Sequence, residues 1–174
     1  MRVTDKFVFF FTQHDIFSNH YRCAKPFWMP KHQVVGAKFW TVEHFMMYEK
    51  AMLFGDTNIA VDIANAYHPQ EAKKLGRLVK NFDNTKWEAF RENIVVNGLY
   101  AKMMANPTIK DAAIKLRKEG RIFVEASPYD AIWGIKMAEN DPRVEDPTNW
   151  KGLNLLGNCW HKAIDRVIDT MEVH

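Results

Sequence analysis

Residues 39–51, Phe39-Trp40-Thr41-Val42-Glu43-His44-Phe45-Met46-Met47-Tyr48-Glu49-Lys50-Ala51, place two opposite charges on what helical spacing makes an apolar stripe. On a helix, the face-neighbours of a residue lie three and four positions away. For Lys50 these are Met46, Met47, Leu53 and Phe54, and for Glu43 they are Phe39, Trp40, Met46 and Met47. Seven residues make two turns, so the charges share one face about 10 Å apart along the axis. Any fold must partner these groups or let their tips reach water, because burying a bare charge is costly. A lysine in apolar surroundings holds its proton less tightly and becomes a nucleophile near neutral pH. Glu43, beside the expected N-cap Thr41, is kept ionised by the positive helix end. The plainer alternative is a Lys50 that snorkels outward and a Glu43 that only complements the helix dipole.

A chain of 174 residues, 47% apolar and 26% charged, suits one soluble domain with a substantial core. The net charge of +3 allows an anionic ligand, but no basic run is dense enough for a nucleic-acid coat. Cys23 and Cys159 stand far apart without metal-ligand spacing, so free thiols in a reducing compartment are expected. The apolar run Phe7-Val8-Phe9-Phe10-Phe11 is too short for a membrane span and reads better as a buried strand. Neither a signal peptide nor a spanning segment is recognisable. A cytoplasmic protein with no membrane partner is the expectation.

The pattern predicts a mostly helical α+β domain over residues 1–174. Strands are expected at residues 7–12, at 33–39 through Val34 and Val35, and at 121–126. The first helix runs from Thr41 to Phe54 and stops at Gly55, a second covers 58–65, and a third opens at Pro69. Thr85-Lys86-Trp87-Glu88 fits a capping box opening a long helix to Ala105, with Phe90, Ile94, Val95, Leu99 and Met103 at its apolar positions. Asn106-Pro107 restarts the helical pattern, which ends at Gly120. Residues 134–152 carry Asp141-Pro142 and Asp146-Pro147 without periodicity, and connections of that length often act as lids. A last helix over 154–171 buries Leu156, Ile164 and Ile168.

Three further segments carry polar chemistry. Phe17-Ser18-Asn19 is a polar pair in an aromatic loop, able to bond a ligand or simply to turn the chain. The run Phe123-Val124-Glu125-Ala126-Ser127-Pro128-Tyr129-Asp130-Ala131-Ile132-Trp133-Gly134 puts two carboxylates and an indole on a loop after a strand, where side chains converge on pockets. In Lys74-Leu75-Gly76-Arg77, the planar fork of Arg77 suits a phosphate, and Gly76 lets backbone come close; a surface arginine is the ordinary alternative. The histidines 14, 20, 32, 44, 68 and 161 form no HxxxH pattern, and no CxxC, P-loop, dinucleotide fingerprint or nucleophile elbow occurs. No metal and no cofactor are expected.

Taken in order, these strings resemble the NADAR, or YbiA-like, N-glycosidase superfamily. The matching residues are Phe17-Ser18-Asn19; Phe39-Trp40-Thr41-Val42-Glu43-His44 with Lys50-Ala51; Ala72-Lys73-Lys74-Leu75-Gly76-Arg77; Trp87; and Val124 through Ile135. Asp146-Pro147 and Trp150-Lys151-Gly152-Leu153-Asn154-Leu155-Leu156-Gly157 complete the set. The likeness covers nearly all the chain from about Phe9. It departs after Gly157, where Cys159-Trp160-His161-Lys162 replaces the Leu-Met and Arg-bearing turn of the family.

The resemblance implies a metal-free, mostly helical enzyme that cleaves an N-glycosidic bond. Some members act on early riboflavin intermediates, and others remove ADP-ribose from guanine in nucleic acid. The long Asp-Pro connection is more like the second group. Lys50 matches the lysine proposed to form a Schiff base with the opened sugar, with Glu43 as acid/base and Asp130 as orienter. Trp87 and Trp133 are the expected base platforms, and Arg77 the phosphate clamp. Phe17, Ser18, Asn19, Gly76, Glu125, Gly134 and Asn154 complete the expected substrate-binding set. The implied partner is an ADP-ribose or ribose-phosphate substrate, with ADP-ribosylated DNA among the candidates. A phosphoribosylamino-pyrimidine substrate and a non-catalytic ADP-ribose reader stay open as alternatives.

Overall fold

Local punctuation sets most of the element ends in the computed structural model, which describes residues 1–173. Residue 174, the last of the expected domain, lies outside them. In chain order the elements are β1 (Arg2–Val3), β2 (Phe7–Phe10), α1 (Pro30–Gln33), α2 (Val42–Leu53), α3 (Thr57–Asn65) and α4 (Pro69–Gly76). They continue with α5 (Asn84–Ala105), α6 (Pro107–Lys118), β3 (Ile122–Glu125), a 3₁₀ turn (Pro147–Asn149) and α7 (Leu155–Glu172). The fold class is α+β, with helices dominating a three-stranded sheet. The chain forms two compact units, one built from Met1–Ser18 and the segment from Pro107 onward, the other from Asn19–Asn106.

In the first unit the sheet order is β1-β2-β3, antiparallel between β1 and β2 and parallel between β2 and β3. All four residues of β2 are buried, as its unbroken apolar run predicts for a central strand. On the edge of β3 away from β2, side chains of α7 replace a fourth strand. Asn154 Oδ1 accepts from the Glu125 N–H at 3.0 Å, and its Nδ2 donates to the Phe123 carbonyl at 3.0 Å. His161 Nε2 accepts from the Phe123 N–H at 3.0 Å. An exposed strand edge invites pairing with other chains, and these bonds cover it. The connection over residues 134–152 is no free lid: Ile135, Met137 and Val144 are buried with Phe7, Phe9 and Val124, and Trp150 packs on that cluster. Its indole donates to the Val144 carbonyl at 2.7 Å.

His161 gives a pH expectation. Burial, then the nearby Arg117, hold its pKa at about 4 against an ordinary 6.5. The unfolded chain therefore takes up a proton between pH 6.5 and 4 that the folded chain refuses. The stability this group confers is complete above its unfolded pKa and drains away as pH falls through that window. Discounted for its partial exposure, the loss is about 1–2 kcal/mol. Urea unfolding followed from pH 7 to 4.5 reads it, and a His161→Gln chain has the flatter profile. Equal slopes for the two chains would exclude His161 as the source.

In the second unit, α2 is the central helix, packed by α3, α4 and α5. Nine of its twelve residues are buried, from Val42 to Glu49 and Ala51. Close approach is bought by glycine: a Cβ on Gly98 would sit 2.8 Å from the Phe45 ring, and one on Gly76 would sit 2.1 Å from Met47 Sδ. Two expectations are corrected here. The strand foreseen over 33–39 is absent: the chain makes the short helix α1, turns at Gly36 with φ of 70°, and leaves Val34 and Val35 exposed. Phe39 alone keeps β pairing, in an isolated bridge with Phe27. The reason is the buried His32, whose Nδ1 accepts from Met29 N–H while Nε2 bonds Glu49, which also takes Lys31. Burial pushes the Glu49 carboxyl up, but the His32 and Lys31 hydrogen bonds outweigh it and leave it below its ordinary range. The second correction is at α5, which is capped by Asp83, whose side chain accepts from Lys86 N–H, rather than by Thr85. Phe90, expected on its apolar face, is exposed.

Candidate active site

Thr41 caps α2 as expected, accepting from the His44 N–H at 3.1 Å, and this sets the rotation of the helix that carries both charges. Glu43 falls in the first turn and is 5% exposed. Its backbone N–H donates to the Asn19 carbonyl at 2.9 Å, tying the Asn19 loop to the helix start. His20 Nε2 lies 3.7 Å from Glu43 Oε2.

Two turns on, Lys50 is half-buried rather than sealed in. Its Nζ donates to the Gly76 carbonyl at 2.9 Å and lies 4.8 Å from the centre of the Phe82 ring and 5.6 Å from that of Trp87. Burial lowers its pKa; the Glu43 charge opposes that, and the Arg77 charge adds to it. The geometry thus combines the two readings of this lysine: a stem laid along apolar surface, and an amine between aromatic faces with weakened hold on its proton. Gly76 serves twice, letting α4 close on Met47 and offering its carbonyl to Lys50.

Around this amine stand Arg77, exposed beyond the end of α4, and Trp87, buried at the start of α5. Phe82 escaped the sequence reading. It stacks edge-on against Phe54 at 5.3 Å and so leans over Lys50. Its only sequence signal is an aromatic in the turn five residues before Trp87. Asn19 is buried, and its side-chain Oδ1 has no protein hydrogen-bond partner. Buried acceptors in that state call for a donor from solvent or ligand.

The other expected residues lie in the first unit. Phe17 has no exposed surface: its ring packs on Phe10, Phe123 and Trp160, and its carbonyl accepts from the Trp160 indole at 2.9 Å. Its ring is therefore a core group, corrected from ligand contact to support of the loop. Ser18 is buried beside it, its hydroxyl 3.5 Å from the Phe11 carbonyl. The Ser127 hydroxyl accepts from the Tyr129 and Asp130 N–H groups, and Asp130 Oδ1 accepts from those of Ile132 and Trp133, at 2.8 and 2.9 Å. Asp130 thus shapes the turn that carries Trp133. Gly134 is buried where a Cβ would meet the Glu125 and Asp130 carbonyls, and Asn154 has both ends of its amide on β3. Cys159 and Trp160, where the sequence departs from the family pattern, are buried core side chains.

The helical lysine beside two aromatic rings, the buried glutamate on the same helix and the arginine that follows α4 all belong to the second unit. The model of the NADAR domain matches residues 8–167. The chain belongs to the NADAR family.

Its relatives include protein irg-1 of Caenorhabditis elegans, 35% identical over 88% of this chain and 76% of that protein. A protein of Acanthamoeba polyphaga mimivirus named N-glycosidase is 38% identical over 72% of this chain and 73% of its own length. Another N-glycosidase, from Nostoc punctiforme, is 30% identical over 68% and 69% of the two chains. These NADAR relatives support a glycosidase enzyme with N-glycosidase activity. The fold is that of Escherichia coli YbiA: its NMR structure superposes with a TM-score of 0.73 at 22% identity, covering 99% of this chain and 91% of that one. Among the described residues no helix is long and apolar enough to cross a membrane.

Proposed function

We propose that this NADAR protein hydrolyses the bond between a nucleobase nitrogen and the ribose of an ADP-ribosyl group, with Lys50 as nucleophile and Glu43 as proton carrier. The observation that carries the reading is the Lys50 amine, set beside the Phe82 and Trp87 rings with its pKa lowered. The base nitrogen's lone pair opens the ribose: the C1′–O4′ bond breaks, and O4′ takes a proton from Glu43. Neutral Lys50 adds to C1′, a proton passes to the base nitrogen, and the base leaves as its amine. C1′ is then held as an imine of Lys50. Water adds to that carbon and its released proton returns to Glu43, the lysine departs as a neutral amine, and the aldehyde closes to the free sugar. No metal or cofactor enters these steps.

Arg77 follows α4, whose last turn carries Lys73 and Lys74, and this local positive charge supports a substrate bearing a diphosphate. Asn19 Oδ1 supplies an acceptor for a sugar hydroxyl or a base amine. A second reading, cleavage of phosphoribosylamino-pyrimidines, is favoured by a maize relative named as a chloroplastic riboflavin biosynthesis protein. It is 31% identical over 75% of this chain, although only 20% of that longer protein is matched.

The two separate by product. Pure protein incubated with an ADP-ribosylated guanine oligonucleotide is expected to release ADP-ribose. Release of ribose 5-phosphate from the pyrimidine alone selects the second reading. Tight ADP-ribose binding without product from either would make the protein a reader instead of an enzyme.

A further inference from the structure

Residues 16–42 contain no aspartate or glutamate, while Arg22, Lys25, Lys31 and Lys38 give them four positive charges. These are too spread out to form a dense basic run, so only folding gathers them. The Cys23 N–H donates to the Trp40 carbonyl at 2.8 Å, and Phe27 and Phe39 exchange backbone bonds at 2.9 Å. This antiparallel pairing lays residues 22–28 along residues 38–40. Arg22 and Lys38 thereby line one hollow together with Trp40 and His44. His44 follows Glu43 on α2, so the hollow lies one residue from the proposed proton carrier.

The four charges differ in what holds them. Glu49 takes Lys31 at 2.7 Å. Arg22, Lys25 and Lys38 are exposed, and among the described residues they enter no ion pair. The carboxylate facing His44 is Glu71, which accepts from the Tyr67 N–H at 3.2 Å. The Arg22 guanidinium lies 4.5 Å from the centre of a Trp40 ring. Stacking uses one face of the guanidinium plane and leaves the N–H fork at its edge for an anion. The hollow, about 30 Å³, has room for a water or a phosphate oxygen and none for a base. A flat surface for a base is offered separately by Trp28, which is 45% exposed and follows Phe27 in the same pairing. Unpaired cations interleaved with aromatic rings, on a segment without acids, suit the backbone of a polyanion.

We propose that Arg22, Lys25 and Lys38, beside Trp40, grip phosphates of the nucleic-acid strand that carries the modified base. The assignment deepens the reading above by giving the strand, rather than the ADP-ribosyl group, its own surface on the protein.

The test compares the full chain with Arg22→Gln/Lys25→Gln/Lys38→Gln and, as a control of equal charge, Lys110→Gln/Lys115→Gln/Lys118→Gln on α6. Fluorescence anisotropy of a labelled, unmodified single-stranded oligonucleotide reads binding without any turnover. The patch variant is expected to lose about tenfold or more in affinity, and its slope of log affinity against log salt to shrink by about two. The α6 variant stays within about twofold of the wild type. On an ADP-ribosylated guanine oligonucleotide, KM of the patch variant rises by about the same factor while kcat holds. On ADP-ribosyl guanosine, which has no flanking phosphates, both variants match the wild type. An equal rise of KM on that small substrate would mean that the patch holds the substrate's own diphosphate, and would overturn the assignment. So would unchanged oligonucleotide affinity in the patch variant, an equal loss in the α6 variant, or wild-type binding to phosphatidylserine vesicles and not to the oligonucleotide. Binding lost in the patch variant alone, with no chain turning over any substrate, supports the surface and ends the glycosidase reading instead.

Discussion

Replacing Lys50 by alanine is expected to cut base release by about a thousandfold or more while ligand affinity changes little. The amine is the proposed bonding atom, so its loss removes an interaction made along the reaction path. Phe82, Trp87 and Arg77 remain to hold a substrate. Borohydride added during turnover should trap a mass adduct of the sugar on the peptide containing Lys50, and the alanine chain should give none. The Lys50 pKa lies below the ordinary lysine range, so a larger share of the amine is neutral at a given pH. The rate should climb with pH until that pKa is passed. An unaltered rate in Lys50→Ala, or an adduct on another lysine, would end the imine mechanism while leaving the family assignment intact.

Gly157→Ala is expected to be the most damaging small change to stability. A Cβ there would lie 2.0 Å from the Phe123 carbonyl oxygen and 2.4 Å from Asn154 Nδ2. The first of these atoms is backbone and cannot swing aside, so the start of α7 must lift off β3. With it goes the Asn154 amide that satisfies both Phe123 and Glu125. Overpacking plus unsatisfied strand groups points to a loss of about 3 kcal/mol or more. Gly36→Ala is the control: it meets nothing within 4 Å, and its φ of 70° alone should cost about 1 kcal/mol. Thermal or urea unfolding ranks the two. Equal midpoints would mean that the contact between α7 and β3 relaxes without cost.

The two predictions differ in how visible their residues were beforehand. Glu43 and Lys50 sit on one stripe because helical spacing alone puts them there, and Thr41 and Gly55 bracket that helix with signals a few residues long. The same holds for Pro69, Pro107 and Gly120 at their helix ends. At the start of α5 the expected Thr85 cap gave way to Asp83, whose side chain takes the Lys86 N–H. The Val34-Val35 pair read as strand because β-branched residues favour extended backbone. The bond from His32 to Glu49, seventeen positions away, overrode that preference.

Ligand-facing and structural polar groups look alike in a string of letters. Phe17 and Asn154 both sit in loops with suggestive neighbours, yet one ring is sealed among aromatics and one amide substitutes for a missing strand. His20 carried no pattern, and Phe82 only its place in the turn before Trp87. Short-range order came from the amino-acid sequence itself: helix ends, the all-apolar central strand, and a lysine and glutamate two turns apart, because capping and periodicity act over a few residues. The tertiary structure alone decided which aromatic faces meet the Lys50 amine, which imidazole stands by Glu43 and which glycines must stay bare. Those outcomes depend on distances between segments far apart in the chain, and no local preference encodes them.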